Sequence, residues 1–125
     1  MTQQDPARSQ VDEFVLEEIE SVPHLEALLL LWNSRPKRWT LEQMANALYI
    51  SKEATDAVLQ DLKQRNLAKE DSGSYAYNSD SKHDSLIQEL DKTYRRELVR
   101  ITRMIHSKAP LSVREFARAF RFKKD

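Results

Sequence analysis

The chain has 125 residues, 40% of them hydrophobic, enough for one modest core with one or two elements reaching beyond it, so a single domain is expected. It contains no cysteine, which excludes disulfides and thiolate metal sites and fits a reducing compartment. The longest apolar run, Leu28 to Trp32, is too short to span a bilayer and no signal peptide is visible, so the expectation is a cytoplasmic protein without a membrane partner. The formal net charge of zero conceals a gradient: residues 1–22 carry six acids against Arg8, whereas residues 94–125 carry ten bases against three acids. An acidic arm and a basic tail of this kind either meet each other or attract separate partners.

Residues 1–9 are polar, include Pro6 and show no periodicity, and read as a disordered arm, with order beginning at Ser9 or Gln10. Val11, Phe14, Val15, Ile19 and Val22 then recur at helical spacing with acids between them, as an amphipathic helix requires. Ser21 is placed to cap a second helix that tolerates Pro23 in its first turn, where the missing N–H has no helical partner. Leu25, Leu28, Leu29, Leu30, Leu31 and Trp32 leave this helix almost no polar face, so it is the expected central buried element, ending before Pro36. His24 at its start is expected to be a surface or capping residue rather than a ligand.

From Thr40 the chain reads as helix, tight turn, helix and hairpin. Thr40 and Gln43 form a capping box, Leu41, Met44, Ala45 and Leu48 face inward, and Tyr49-Ile50 makes the turn. Ser51 caps the next helix, whose inward positions are Thr55, Val58, Leu59 and Leu62, and Asn66 stands where it stops in a left-handed conformation. Leu67–Glu70 and Tyr75–Asn78 are the expected strands around Asp71-Ser72-Gly73-Ser74, which holds the only glycine in the protein. Trp39 is placed to add a short third strand.

The stretch TLEQMANALYISKEATDAVLQDLKQRNLAKEDSGSYAY, with LEALLLLW before it as first core helix, resembles a winged helix-turn-helix domain of the MarR-like bacterial transcription regulators. The resemblance implies a mainly α fold with a small β-hairpin wing over residues 10–80, and it places Ser51–Gln64 as the helix that enters the DNA major groove. Carried over by position, its readers are Lys52, Glu53, Ala54, Asp56, Ala57, Gln60 and Asp61. Two alanines have no donor and three acids repel phosphate, so DNA contact is expected mainly from bases elsewhere. The expected DNA-contacting set is Arg35, Lys37, Arg38, Lys52, Gln60 and Lys69, with weak or non-specific binding.

Residues 81–109 read as one long helix, capped by Asp80 or Ser81, with Leu86, Ile87, Leu90, Tyr94, Leu98, Ile101 and Ile105 as a continuous stripe. Its length suggests a second subunit, with Leu90, Tyr94, Leu98, Ile101 and Ile105 as the dimer seam; the alternative is that the stripe folds back on its own domain and on the N-terminal helix. In LSVREFARAF, within residues 110–125, Ser112 and Glu115 form a capping box, so a short basic amphipathic helix is expected. Its Phe116 and Phe120, with Arg114, Arg118 and Arg121, are the candidate contacts to a protein partner.

His24, His83 and His106 are scattered without a nucleophile motif or metal-ligand spacing, and no phosphate-cradling loop is possible with one glycine, so neither an enzyme nor a cofactor is expected. Trp32, Trp39, Tyr49 and Tyr94 read first as core, with the lining of an effector pocket as the alternative. Two function classes follow: a dimeric winged-helix transcription regulator that holds DNA through backbone contacts, or a protein adaptor whose fold has lost DNA reading and docks through its acidic helix surface or C-terminal helix; a peripheral membrane role for the last helix is a third class of lower weight.

Overall fold

The computed structural model describes residues 6–80 and 82–108. In chain order these form α1 (Pro6–Glu18), α2 (Val22–Asn33), β1 (Trp39–Thr40), α3 (Leu41–Leu48), α4 (Lys52–Gln64), β2 (Ala68–Asp71), β3 (Ser74–Tyr77), α5 (Asp84–Arg96) and α6 (Leu98–His106). The architecture is therefore mainly helical with one small antiparallel sheet, of strand order β1-β3-β2. The candidate protein contacts Arg114, Phe116, Arg118, Phe120 and Arg121 lie outside the described residues.

α2 is the hub. Leu25, Leu28 and Leu31 have no solvent exposure and Leu29 and Trp32 have almost none, and α2 touches α3, α4, α5, α6 and β3. Its start is set as the sequence requires: Ser21 Oγ accepts the His24 backbone N–H at 3.4 Å, with proline in the first turn. The helix-turn-helix follows with both halves of its capping box made, Gln43 N–H to Thr40 Oγ1 at 3.1 Å and Thr40 N–H to Gln43 Oε1 at 3.0 Å. α3 ends on Tyr49 in the left-handed region (φ 58°), a conformation that costs a residue with a β-carbon roughly 1–2 kcal/mol. Tyr49 is also 92% exposed, so it is not core.

Ser51 caps α4 through the Ala54 N–H at 3.0 Å, and Thr55, Val58, Leu59 and Leu62 turn inward. Asn66, at φ 61°, turns the chain into the hairpin. Ser72 and Gly73 both have positive φ, as a two-residue type I′ turn needs, and this fixes the register Ala68↔Tyr77 through Asp71↔Ser74. Tyr75 and Tyr77 are thereby buried on the core side, while Lys69 and Ala76, paired across the hairpin, stand on the outer side. Trp39 does add the third strand, paired with Tyr75.

Two expectations are corrected at the ends. α1 begins at Pro6, ahead of the expected Ser9–Gln10 start. The single long helix is instead two: α5 starts at Asp84 with no side-chain cap, and the chain breaks at Glu97 (φ −128°, ψ 44°) before α6. Past the break, Ile101 and Ile105 join Leu90 in the core shared with α1 and α2, all three being buried within one chain. Leu90, Ile101 and Ile105 thus need no second subunit to cover them. Tyr94 is half-buried, and Leu98 is left exposed beside Val99.

Opposite charges at the two ends of the sequence meet at this junction. Arg8 and Arg100 both donate to Glu97 Oε1, at 2.8 and 2.7 Å, and Arg100 also reaches Asp12 at 2.9 Å. The Arg100 hydrogen bond, with smaller help from Arg8, holds the Glu97 carboxyl below its ordinary range. Lys108 donates to the carbonyls of Val15, Leu16 and Ile19 at the end of α1, where the Val15 oxygen also accepts the Ile19 N–H at 3.2 Å.

If the stripe belongs to the single-chain core, Ile101→Ala will cost about 2–5 kcal/mol in urea unfolding. The loss should be the same in dilute and in concentrated protein, whereas the loss from a seam residue would disappear on dilution.

Candidate nucleic-acid interface

α4 occupies the position from which a helix-turn-helix reads base edges, and most of its polar side chains are engaged inside the chain. Asp61 Oδ2 lies 2.8 Å from His24 Nε2, and His24 Nδ1 lies 2.6 Å from Ser21 Oγ. His24, expected at the surface or as a cap, is buried at 8% exposure and ties α2 to α4. Serine, histidine and aspartate are here in line, yet Ser21 Oγ is the helix cap of its own α2. Lys63 donates to Glu70 Oε1 of the wing at 2.6 Å, and that bond raises the lysine pKa and lowers the glutamate's. Gln60 reaches Asp56 Oδ1 and the Tyr75 hydroxyl, both at 3.4 Å. Burial, then the nearby Glu70 charge, pushes the Tyr75 phenol above its ordinary range.

What α4 leaves exposed toward a ligand is Lys52, Glu53, Ala54, Asp56 and Ala57, one base against two acids. Such a face gains little from a phosphate backbone.

The other predicted bases converge elsewhere. Arg35, Lys37, Arg38 and Lys69 line one groove of about 300 Å³ on the outer side of the sheet, floored by Ala76, Tyr77 and Ser79. Lys52 and Gln60 do not line it. The aromatic residues nearby fix two of the cations: the Arg35 guanidinium stacks 3.4 Å from the centroid of the Trp32 ring, and Lys37 Nζ sits 3.9 Å from that of Trp39. Arg35 Nε also donates to the Trp32 carbonyl at 2.6 Å. Arg38 donates to Ser74 Oγ at 2.9 Å and lies 3.6 Å from Asp71, while Lys69 pairs with Asp80. Both acids are 76% exposed and so screened by solvent, and two acids against four bases leave the groove a positive surplus.

Sequence reading named the four cations and missed the Ala76–Ser79 floor. The signal was present in strand alternation, since burying Tyr75 and Tyr77 turns Ala76 outward beside Lys69. The tie between His24 and Asp61 spans 37 residues and carries no local signal. Among the described residues no group of three or more His, Cys, Asp or Glu is placed to hold a metal ion, and no helix is long and apolar enough to cross a membrane.

These elements and their order define a winged helix-turn-helix protein. The solved structures agree: the chain superposes on the Mycobacterium tuberculosis MarR family protein Rv2887 with a TM-score of 0.56 at 16% identity, over 95% of this chain and 86% of that one. It superposes on Rv1404, also from Mycobacterium tuberculosis, with a TM-score of 0.50 at 15% identity, over 99% of this chain and 95% of that one. Neither protein-family profiles nor curated protein sequences give a match. At such identities the likeness is one of fold, and it is the MarR-like winged-helix fold that the residues suggested.

Removing the Asp61 carboxylate strands a buried imidazole N–H. Asp61→Ala should therefore lose about 1–3 kcal/mol of unfolding free energy. In a double-mutant cycle with His24→Ala the two losses should fall short of additivity, because both remove the same contact.

Proposed function

We propose that this chain is a non-catalytic winged-helix regulator associated with transcription control in the cytoplasm, holding DNA through its backbone and not through base reading by α4. The convergence of Arg35, Lys37, Arg38 and Lys69 on one groove carries this reading. Four cations beside a wing supply the sequence-independent part of DNA affinity, by displacing counterions from phosphates. Stacking on Trp32 and Trp39 lowers the entropy each side chain loses on binding, because two of the cations are already held. The fixed ties from α4 to α2 and to the wing leave only its N-terminal end free, with Glu53 and Asp56 facing outward.

Fluorescence anisotropy with a mixed-sequence duplex should show affinity falling with salt at a logarithmic slope of about −3 to −4, as expected for roughly four neutralised phosphates. A scrambled duplex should bind equally well. Lys37→Ala combined with Arg38→Ala should reduce the slope by about two, whereas Ala54→Ser on α4 should change neither slope nor affinity. Binding that survives the double substitution and is lost on changing Lys52 would move the interface back to α4.

Homodimerisation belongs to the same reading, through the outer face of α6 in place of the buried stripe. Leu98 is 51% and Val99 60% exposed, and Val99 with Met104 lines an open, largely apolar groove along that helix. Light scattering should give twice the chain mass for the wild type and the monomer mass for Val99→Glu, with an unchanged circular dichroism spectrum. Equal masses for the two proteins would reject this face.

A further inference from the structure

The outer sheet groove has a shape that the DNA reading leaves unexplained. Lys69 of β2 pairs with Ala76 of β3, and because Trp39 pairs with Tyr75 on the other side of β3, Arg38 comes level with the same alanine. Two long cations thus flank one methyl group, two strand spacings or about 10 Å apart. Arg35 and Lys37 join them from the segment before β1, and Ser79 continues the floor past Tyr77.

The result is a cleft of about 300 Å³ whose lining, among the described residues, holds four cations and no acid. That volume lies at the lower end of the range of small-molecule sites. A duplex reaches such cations across the mouth of the cleft, whereas a compact anion can enter it. Four positive charges in so small a space are matched by a ligand that carries several negative charges at close spacing, and a lone phosphate brings at most about two. Asp71 and Asp80, the present partners of Arg38 and Lys69, form exposed pairs that hold weakly and give way to a denser polyanion. A nucleobase finds no stacking face beside the cleft. Arg35 and Lys37 already lie over the Trp32 and Trp39 rings, and Tyr77 is buried. Recognition therefore ends with the phosphates.

We propose that this groove binds a chain of condensed phosphates, inorganic or carried by a nucleotide, laid between Arg38 and Lys69 over Ala76. Arg35 and Arg38 present guanidinium forks that fit phosphate oxygens, and Lys37 and Lys69 act as point charges. The inference shares its cations with the DNA reading and does not rest on it, because the cleft can be filled in the absence of DNA.

The test is isothermal titration calorimetry of the full chain with inorganic triphosphate in magnesium-free buffer, against citrate and sulfate as anions of other shape and charge. Triphosphate should bind saturably at one site per chain, and citrate and sulfate at least about tenfold more weakly. Lys69→Gln, an exposed change, should weaken triphosphate by about tenfold and leave the melting temperature unchanged. Ala76→Leu fills the cleft without touching a charge, so it should abolish triphosphate binding while leaving affinity for a mixed-sequence duplex within about twofold. ATP should match triphosphate, which shows that the nucleoside adds nothing; a preference for ATP of about tenfold or more would name a nucleotide as the source of the chain. No saturable binding at millimolar triphosphate, equal affinity for citrate, or full binding by Ala76→Leu would overturn the assignment. Duplex binding without triphosphate binding would reject this inference alone, and triphosphate binding without duplex binding would reject the DNA reading alone.

Discussion

The rest of this structure depends on the need to cover α2 on every side. A helix with leucine at four consecutive positions, Leu28 to Leu31, exposes apolar surface in all directions, and no single neighbour can bury it. The helix-turn-helix covers one side through α3 and α4, the buried tyrosines of β3 cover another, and α5 and α6 cover what remains. Beyond the break at Glu97, α6 adds Ile101 and Ile105 to the same core.

The winged helix-turn-helix fold was legible because its punctuation is local. Thr40 with Gln43, Ser51 before its helix, Asn66 after it and Ser72-Gly73 in the hairpin each act within four residues, so their chemistry can be read without knowing the fold. The hairpin ends moved by one residue because the two-residue turn lets Asp71 and Ser74 pair. The stripe from Ile87 to Ile105 was legible as apolar, but its destination was not. Periodicity says that a face must be buried and is silent on whether the cover comes from the same chain or another. The basic groove was half legible: its cations stand out in the sequence, and their convergence depends on bringing Arg35–Arg38 beside a strand more than thirty residues further on.

His24 shows a different limit. A histidine at the edge of an apolar helix reads as a surface residue, because most polar side chains in a first turn can reach water. Here α4 closes over it, and burial is tolerable because both ring nitrogens find oxygen partners, Ser21 on α2's own cap and Asp61 across the interface. One imidazole therefore joins the start of the central helix to the helix that faces outward. The Lys63–Glu70 pair adds a second tie from α4, to the wing. Wing and α4 are thereby tied to each other as well as to the core.

The three bonds from Lys108 to the end of α1 also bear on the order in which the chain can assemble. α1 packs on α5 and α6, and its terminal carbonyls are satisfied by a side chain some ninety residues downstream. Of its two helical partners α5 comes first in the chain, and the Lys108 bonds can form only once α6 has followed. The winged core between them makes mostly short-range contacts and can close earlier, leaving α1 as an exposed amphipathic segment in the interval. In a nascent chain, α1 thus stays an amphipathic segment in want of cover until α5 has emerged.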